Sequence, residues 1–171
     1  MKLAIVALGF SLSLVACGME GTRAPDVAEY AALNQQVADT VGTHCATMTA
    51  MADPSACTAE RDRYAAQVQP MLDRMTSMSD SMDACMDAMG HTATADMNST
   101  CQSMTRELAN HLQAACTSSD LTAQQSEATR HCQAMGTMTG TEASRASSMM
   151  GSVSGGMMSG GGMMSGGTCH T

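Results

Sequence analysis

The stretch that decides the fold is Met71-Leu72-Asp73-Arg74-Met75-Thr76-Ser77-Met78-Ser79-Asp80-Ser81-Met82-Asp83-Ala84-Cys85-Met86-Asp87-Ala88-Met89. Its apolar residues recur every three or four positions, the period of an α-helix and not of a strand. With Cys57, Tyr64 and Val68 upstream, the residues Met71, Met75, Met78, Met82, Cys85, Met86 and Met89 fall in a stripe about 100° wide, with Asp73, Asp80, Asp83 and Asp87 opposite. The pattern predicts one amphipathic helix from about Ser55 to Met89, stopped at Gly90. Pro70 lies inside it and should kink or split it, because proline removes a backbone donor and crowds the preceding turn.

Such a face needs covering, and three further segments have the matching period. A helix from about Pro25 to Ala52 places Leu33, Val37, Val41, His44, Met48 and Met51 on one side, and Asp53-Pro54 ends it. Another, about Ala95 to Cys116, aligns Met97, Cys101, Met104, Leu108 and Leu112. A fourth, about Leu121 to Met149, is capped by Ser118, Ser119 or Asp120 and turns Leu121, Ala128, Cys132 and Met135 inward. Short connections between long helices favour antiparallel neighbours, so the expected fold is all-α, an antiparallel four-helix bundle over residues 25–150. From Gly151 to Thr171 the chain is mostly Gly, Ser and Met, which predicts a flexible, disordered tail.

The first seventeen residues carry Lys2, an apolar run from Leu3 to Val15, and then Leu14-Val15-Ala16-Cys17. The run is too short to span a bilayer and has the form of a removable export signal. Its end resembles the lipobox of bacterial lipoproteins. That resemblance implies cleavage after residue 16, lipid on Cys17, a tether over residues 17–24 and membrane attachment through the N-terminal lipid. Gly18 after the cysteine implies the outer membrane, facing the periplasm. Without residues 1–16 the chain has seven Arg against sixteen acids, a formal charge of −9, which disfavours nucleic acid. It also lacks Lys, Ile, Phe and Trp while holding nineteen Met, so thioethers must fill much of the interior.

Two copies of His-Cys-x-x-Met-x-x-Met stand out: His44, Cys45, Met48 and Met51, then His131, Cys132, Met135 and Met138. On a helix the His and the first Met share a face. In an antiparallel bundle His44 lies about 12 Å from the end of its helix and His131 about 15 Å from the start of its own, so the copies can face each other in one layer, with His111 at the same end. Thioether, thiolate and imidazole suit a soft ion such as Cu(I) and also admit Zn(II). In the tail, Cys169 and His170 join the Met pairs as candidate ligands. The bland alternative makes the Met stripe core and the histidines hydrogen-bonded core residues.

Cysteines have a second reading. Six lie in the helical region, and in an oxidising compartment they invite disulfides, with fifteen pairings open. Cys85 and Cys101 flank a turn almost symmetrically and are one candidate pair. No phosphate loop, nucleophile elbow or zinc-protease motif is present, so enzymatic chemistry is not expected. The mature region weakly resembles the copper storage proteins, four-helix bundles lined by cysteines, although their Cys-x-x-x-Cys spacing is missing. The tail is similar to Met- and His-rich segments of periplasmic copper-resistance proteins. The expected function is therefore non-enzymatic binding of a soft metal, Cu(I), for sequestration or buffering in the cell envelope. The alternative is a disulfide-stabilised structural or partner-binding lipoprotein with no metal role.

Overall fold

A computed structural model describes residues 27–88 and 95–156, with side chains from 27 to 83 and 96 to 151. The signal, Cys17, the tether, the tail after 156 with Cys169 and His170, and the side chain of Cys85 lie outside that range. Four helices carry the chain: α1 (Val27–Thr49), α2 (Cys57–Ala88), α3 (Ala95–Ala114) and α4 (Leu121–Gly156). Among the described residues there is no strand. None of the described helices is long and apolar enough to cross a membrane.

Helix ends follow from local chemistry. Asp53 accepts from the Ser55 amide at 2.9 Å and starts a 3-10 turn, Pro54–Ala56, that leads into α2. Asp120 accepts from the Thr122 amide at 2.9 Å and caps α4. Of the kink or split expected at Pro70, the split does not occur: α2 is a single helix through it. Pro70 is exposed, so the carbonyl it deprives of a partner can turn to water. α4 runs six residues past the expected boundary at 150.

Each helix packs on its neighbours in sequence, and α4 closes the ring against α1. Tyr30, early in α1, touches Cys101, early in α3, and Glu142, late in α4, so consecutive helices are antiparallel. The core holds Tyr30, Val37, Val41, Tyr64, Val68, Leu72, Leu108 and the thioethers of Met75, Met82, Met97, Met104 and Met135. On α2 the buried line runs through Leu72 and Ser79, both fully covered, while Met71 and Met78 sit half-buried on its flank. The stripe is thus turned from the sequence expectation because α2 wedges between α1 and α3.

Candidate functional site

One ring from each helix meets in a single layer: His44 from α1, Tyr64 from α2, His111 from α3 and His131 from α4, all fully buried. The rings form two stacks. His44 lies on Tyr64 with ring centres 4.0 Å apart, and His111 lies on His131 at 4.0 Å. Across the stacks, His44 meets His111 edge-on at 81°.

A carboxylate stands behind each imidazole. His44 Nδ1 is 2.9 Å from Glu60, His131 Nδ1 is 3.0 Å from Glu107, and His111 Nδ1 is 3.4 Å from Glu127. Arg63 holds Glu60 at 2.7 Å, and Arg130 bridges Glu127 at 2.8 Å and Glu107 at 3.0 Å. Burial pushes Glu60 and Glu107 up, but the hydrogen bonds from Arg63 and His44 to the one, and from Arg130 and His131 to the other, outweigh it and bring both below the ordinary carboxylate value. The hydrogen bonds from Arg130 lower Glu127 as well. Burial pushes all three imidazoles down, His111 to about 4 with help from its neighbours His131 and His44. Burial and the nearby Glu107 raise the Tyr64 phenol, which keeps its proton.

These partners fix the tautomers. An ionised carboxylate only accepts, so each Nδ1 donates to its Glu and each Nε2 carries a bare lone pair. His131 Nε2 is satisfied by the Tyr64 hydroxyl, which donates to it at 3.0 Å. His44 Nε2 and His111 Nε2 instead face one another at 3.2 Å. Two nitrogens bound tetrahedrally to one ion at about 2.0–2.1 Å would stand about 3.3 Å apart. Among the described residues no three His, Cys, Asp or Glu side chains are arranged as a complete metal site, and what the layer offers is this pair.

The layer is built on a repeat. His44 and His111 are 67 residues apart, as are Tyr64 and His131. Glu60 and Glu127, and Arg63 and Arg130, keep the same offset. Buried positions match along the whole hairpin, among them Asn34 with Cys101, Val41 with Leu108, Val68 with Met135 and Met75 with Glu142. The α1–α2 and α3–α4 hairpins therefore present one pattern twice, and His, Glu and Arg of the layer are its chemically identical members.

The conspicuous sequence motif behaves differently. Its copies do face each other, and Cys45 and Cys132 are joined in a disulfide with Cα atoms 5.9 Å apart. Neither cysteine then offers the thiolate expected of a metal ligand. Because α1 and α4 are antiparallel, four residues onward leads in opposite directions, about 6 Å each way. Met48 accordingly packs with Cys57 and Ala128, and Met51 lies beside that cluster, whereas Met135 and Met138 belong to the main core. The structure brings His44, His111 and His131 together but not the thioethers. A second disulfide joins Cys57 to Cys116, which takes a left-handed φ of 65° just beyond α3. Cys101 carries a free thiol, 3.1 Å from the Tyr30 hydroxyl, in place of the bond expected with Cys85. It faces the bundle interior and not the turn between α2 and α3.

Sequence reasoning passed over Tyr64, Glu60, Glu107 and Glu127 as site residues. The 67-residue offset was the available signal, hidden by the louder His-Cys repeat. A groove of about 440 Å³ between α3 and α4, lined in part by Arg106, Asn110 and Met138, brings solvent to Glu107 at the back of the layer. No protein-family model, curated protein or solved structure matches the chain.

Proposed function

We propose that this is a non-enzymatic envelope lipoprotein, anchored through lipid on Cys17 to the outer membrane, that binds Cu(I) for sequestration or buffering in its imidazole layer. The observation that carries this reading is the facing pair of His44 and His111 nitrogens, 3.2 Å apart, each with its proton committed elsewhere. Two lone pairs repel at that distance in a low-dielectric interior, and a cation between them removes the conflict. Charge supports a monovalent ion. Three carboxylates against two guanidiniums leave one negative charge around neutral imidazoles, and uncompensated buried charge is costly. Imidazole suits copper, and a carboxylate behind each ring is the outer partner that orients a ligating histidine. The methionine excess remains the sequence argument for a soft ion.

A second reading, a disulfide-stapled structural or partner-binding lipoprotein without metal, is favoured by the two interhelix disulfides. In that case a shared proton takes the place between His44 and His111. The test is a Cu(I) titration of the full chain against a competing chelator, comparing wild type with His44→Leu/His111→Leu. The double variant keeps the Arg partners of Glu60 and Glu127, so its fold should survive. It should lose one tight equivalent of copper. Equal affinity and stoichiometry in both proteins would refute the site, and a wild type with no tight equivalent would favour the second reading.

A further inference from the structure

The methionines divide into two sets by where the helices place them. Met48, Met75, Met82, Met97, Met104 and Met135 are at most 4 % exposed and lie inside the bundle. Met51, Met71, Met78, Met138 and Met149 are half-buried on the flanks of their helices, and Met150 is exposed at 39 %. Met138 lines the groove between α3 and α4, and Met71 is its counterpart under the 67-residue repeat. Few other oxidisable groups accompany them. Residues 17–171 contain no Lys and no Trp. Among the described residues Tyr30, Tyr64, the three histidines and the Cys101 thiol are fully buried, and the other cysteines with described side chains are paired in disulfides.

We propose that the outer thioethers are sites of methionine sulfoxidation, through which the protein consumes a hypohalous acid before that oxidant reaches the core. Overall, one thioether and one HOCl give one sulfoxide, one chloride ion and one proton. The S–O bond forms, the O–Cl bond breaks, sulfur loses two electrons and chlorine gains them. A thioether has no proton to lose, so unlike a thiol it is reactive at any pH. The missing Lys removes the amines that would otherwise divert HOCl into chloramines. Position decides what the polar sulfoxide does to the fold. On a helix flank the new oxygen can turn to water, whereas inside the bundle it would lie among apolar side chains without a donor and disrupt their packing. This chemistry needs no bound metal and goes beyond the copper reading.

The test adds HOCl stepwise to the metal-free full chain at neutral pH and maps the sulfoxide at each methionine by peptide mass spectrometry, with far-ultraviolet circular dichroism following the fold. The outer set should be oxidised at least about tenfold faster than the core set, because a core thioether meets the oxidant only when the bundle opens. Helicity should hold until the outer set is consumed. A variant with Met51, Met71, Met78, Met138, Met149 and Met150 each changed to Leu, a residue of similar volume, should lose helicity at a lower dose of oxidant. If that variant fails to fold, the map of the wild type decides alone. Equal rates in the two sets, loss of helicity with the first equivalents, or a folded Leu variant that withstands the same dose overturns the proposal. None of these outcomes bears on the copper site, which is titrated separately.

Discussion

The bundle buries two polar layers, and they are organised in opposite ways. In the layer of Tyr30, Cys101 and Glu142, the Tyr30 hydroxyl donates to Glu142 at 2.8 Å, Arg145 donates to the same carboxylate at 2.6 Å, and the Cys101 sulfur lies against the phenol. Every donor there has an acceptor, and the repeat is abandoned, with Tyr30 opposite Met97 and Glu142 opposite Met75 in the 67-residue alignment. In the imidazole layer the repeat is kept at His, Glu and Arg and broken at Tyr64 against His131 and at Thr40 against Glu107, and two acceptors are left facing each other. A closed hydrogen-bond circuit needs dissimilar partners, donors against acceptors. The duplicated hairpin instead sets two identical acceptors against each other, at the position where the proposed cation would lie.

The largest effect that separates the layers should come from the disulfide. Cys45–Cys132 ties the residues next to His44 and His131 and closes a separation of 87 residues, while the Tyr30 layer has only a free thiol. Cys45→Ser/Cys132→Ser should cost about 4 kcal/mol in denaturant unfolding, and hydrogen exchange should quicken around the imidazoles more than around Tyr30. Equal quickening at both layers would show that the bond stabilises the bundle as a whole and does not secure the site.

Acid should come next. In the metal-free protein His111 has a folded value of about 4 against an ordinary 6.5. Between those pH values the unfolded chain binds the proton and the folded chain does not, so stability falls as pH drops, by about 3 kcal/mol from this group alone. His44 and His131 are lowered in the same direction, and the lowered Glu60, Glu107 and Glu127 add a further loss below the ordinary carboxylate range. Urea midpoints measured from about pH 7.5 to pH 4 follow this directly. A flat profile would mean that the native layer already holds a proton, which is the arrangement of the metal-free reading.

Much of the fold was legible because helical periodicity is a local property. The inward faces of α1 and α3 were read nearly as they stand, apart from Tyr30, Asn34 and the half-buried Leu112, and antiparallel geometry set His44 and His131 in one layer with His111 at the same end of the bundle. What stayed hidden depends on register between helices. Whether Leu72 or Met71 faces the centre is set by how α2 sits between two partners. Which cysteines meet is set the same way, so Cys45–Cys132 and Cys57–Cys116 were two choices among fifteen pairings. The carboxylates behind the histidines lie 16 or 24 residues away in sequence, across helix boundaries, where no local pattern points to them.

The smallest expected effect concerns the methionines that first suggested soft-metal chemistry. Met48 and Met135 each follow a layer histidine by four residues, but on antiparallel helices they diverge, and each is packed among apolar neighbours in a different cluster. Leu matches Met in volume and apolarity while removing the sulfur. Met48→Leu/Met135→Leu should therefore change stability by less than about 1.5 kcal/mol and leave Cu(I) affinity at the layer within about twofold of wild type. The same chelator competition used for the histidine variants measures it. A clear weakening would bring the thioethers back into the coordination sphere and require the helices to shift along one another on binding. An unchanged affinity would divide the labour between nitrogen at the site and sulfur in the packing around it.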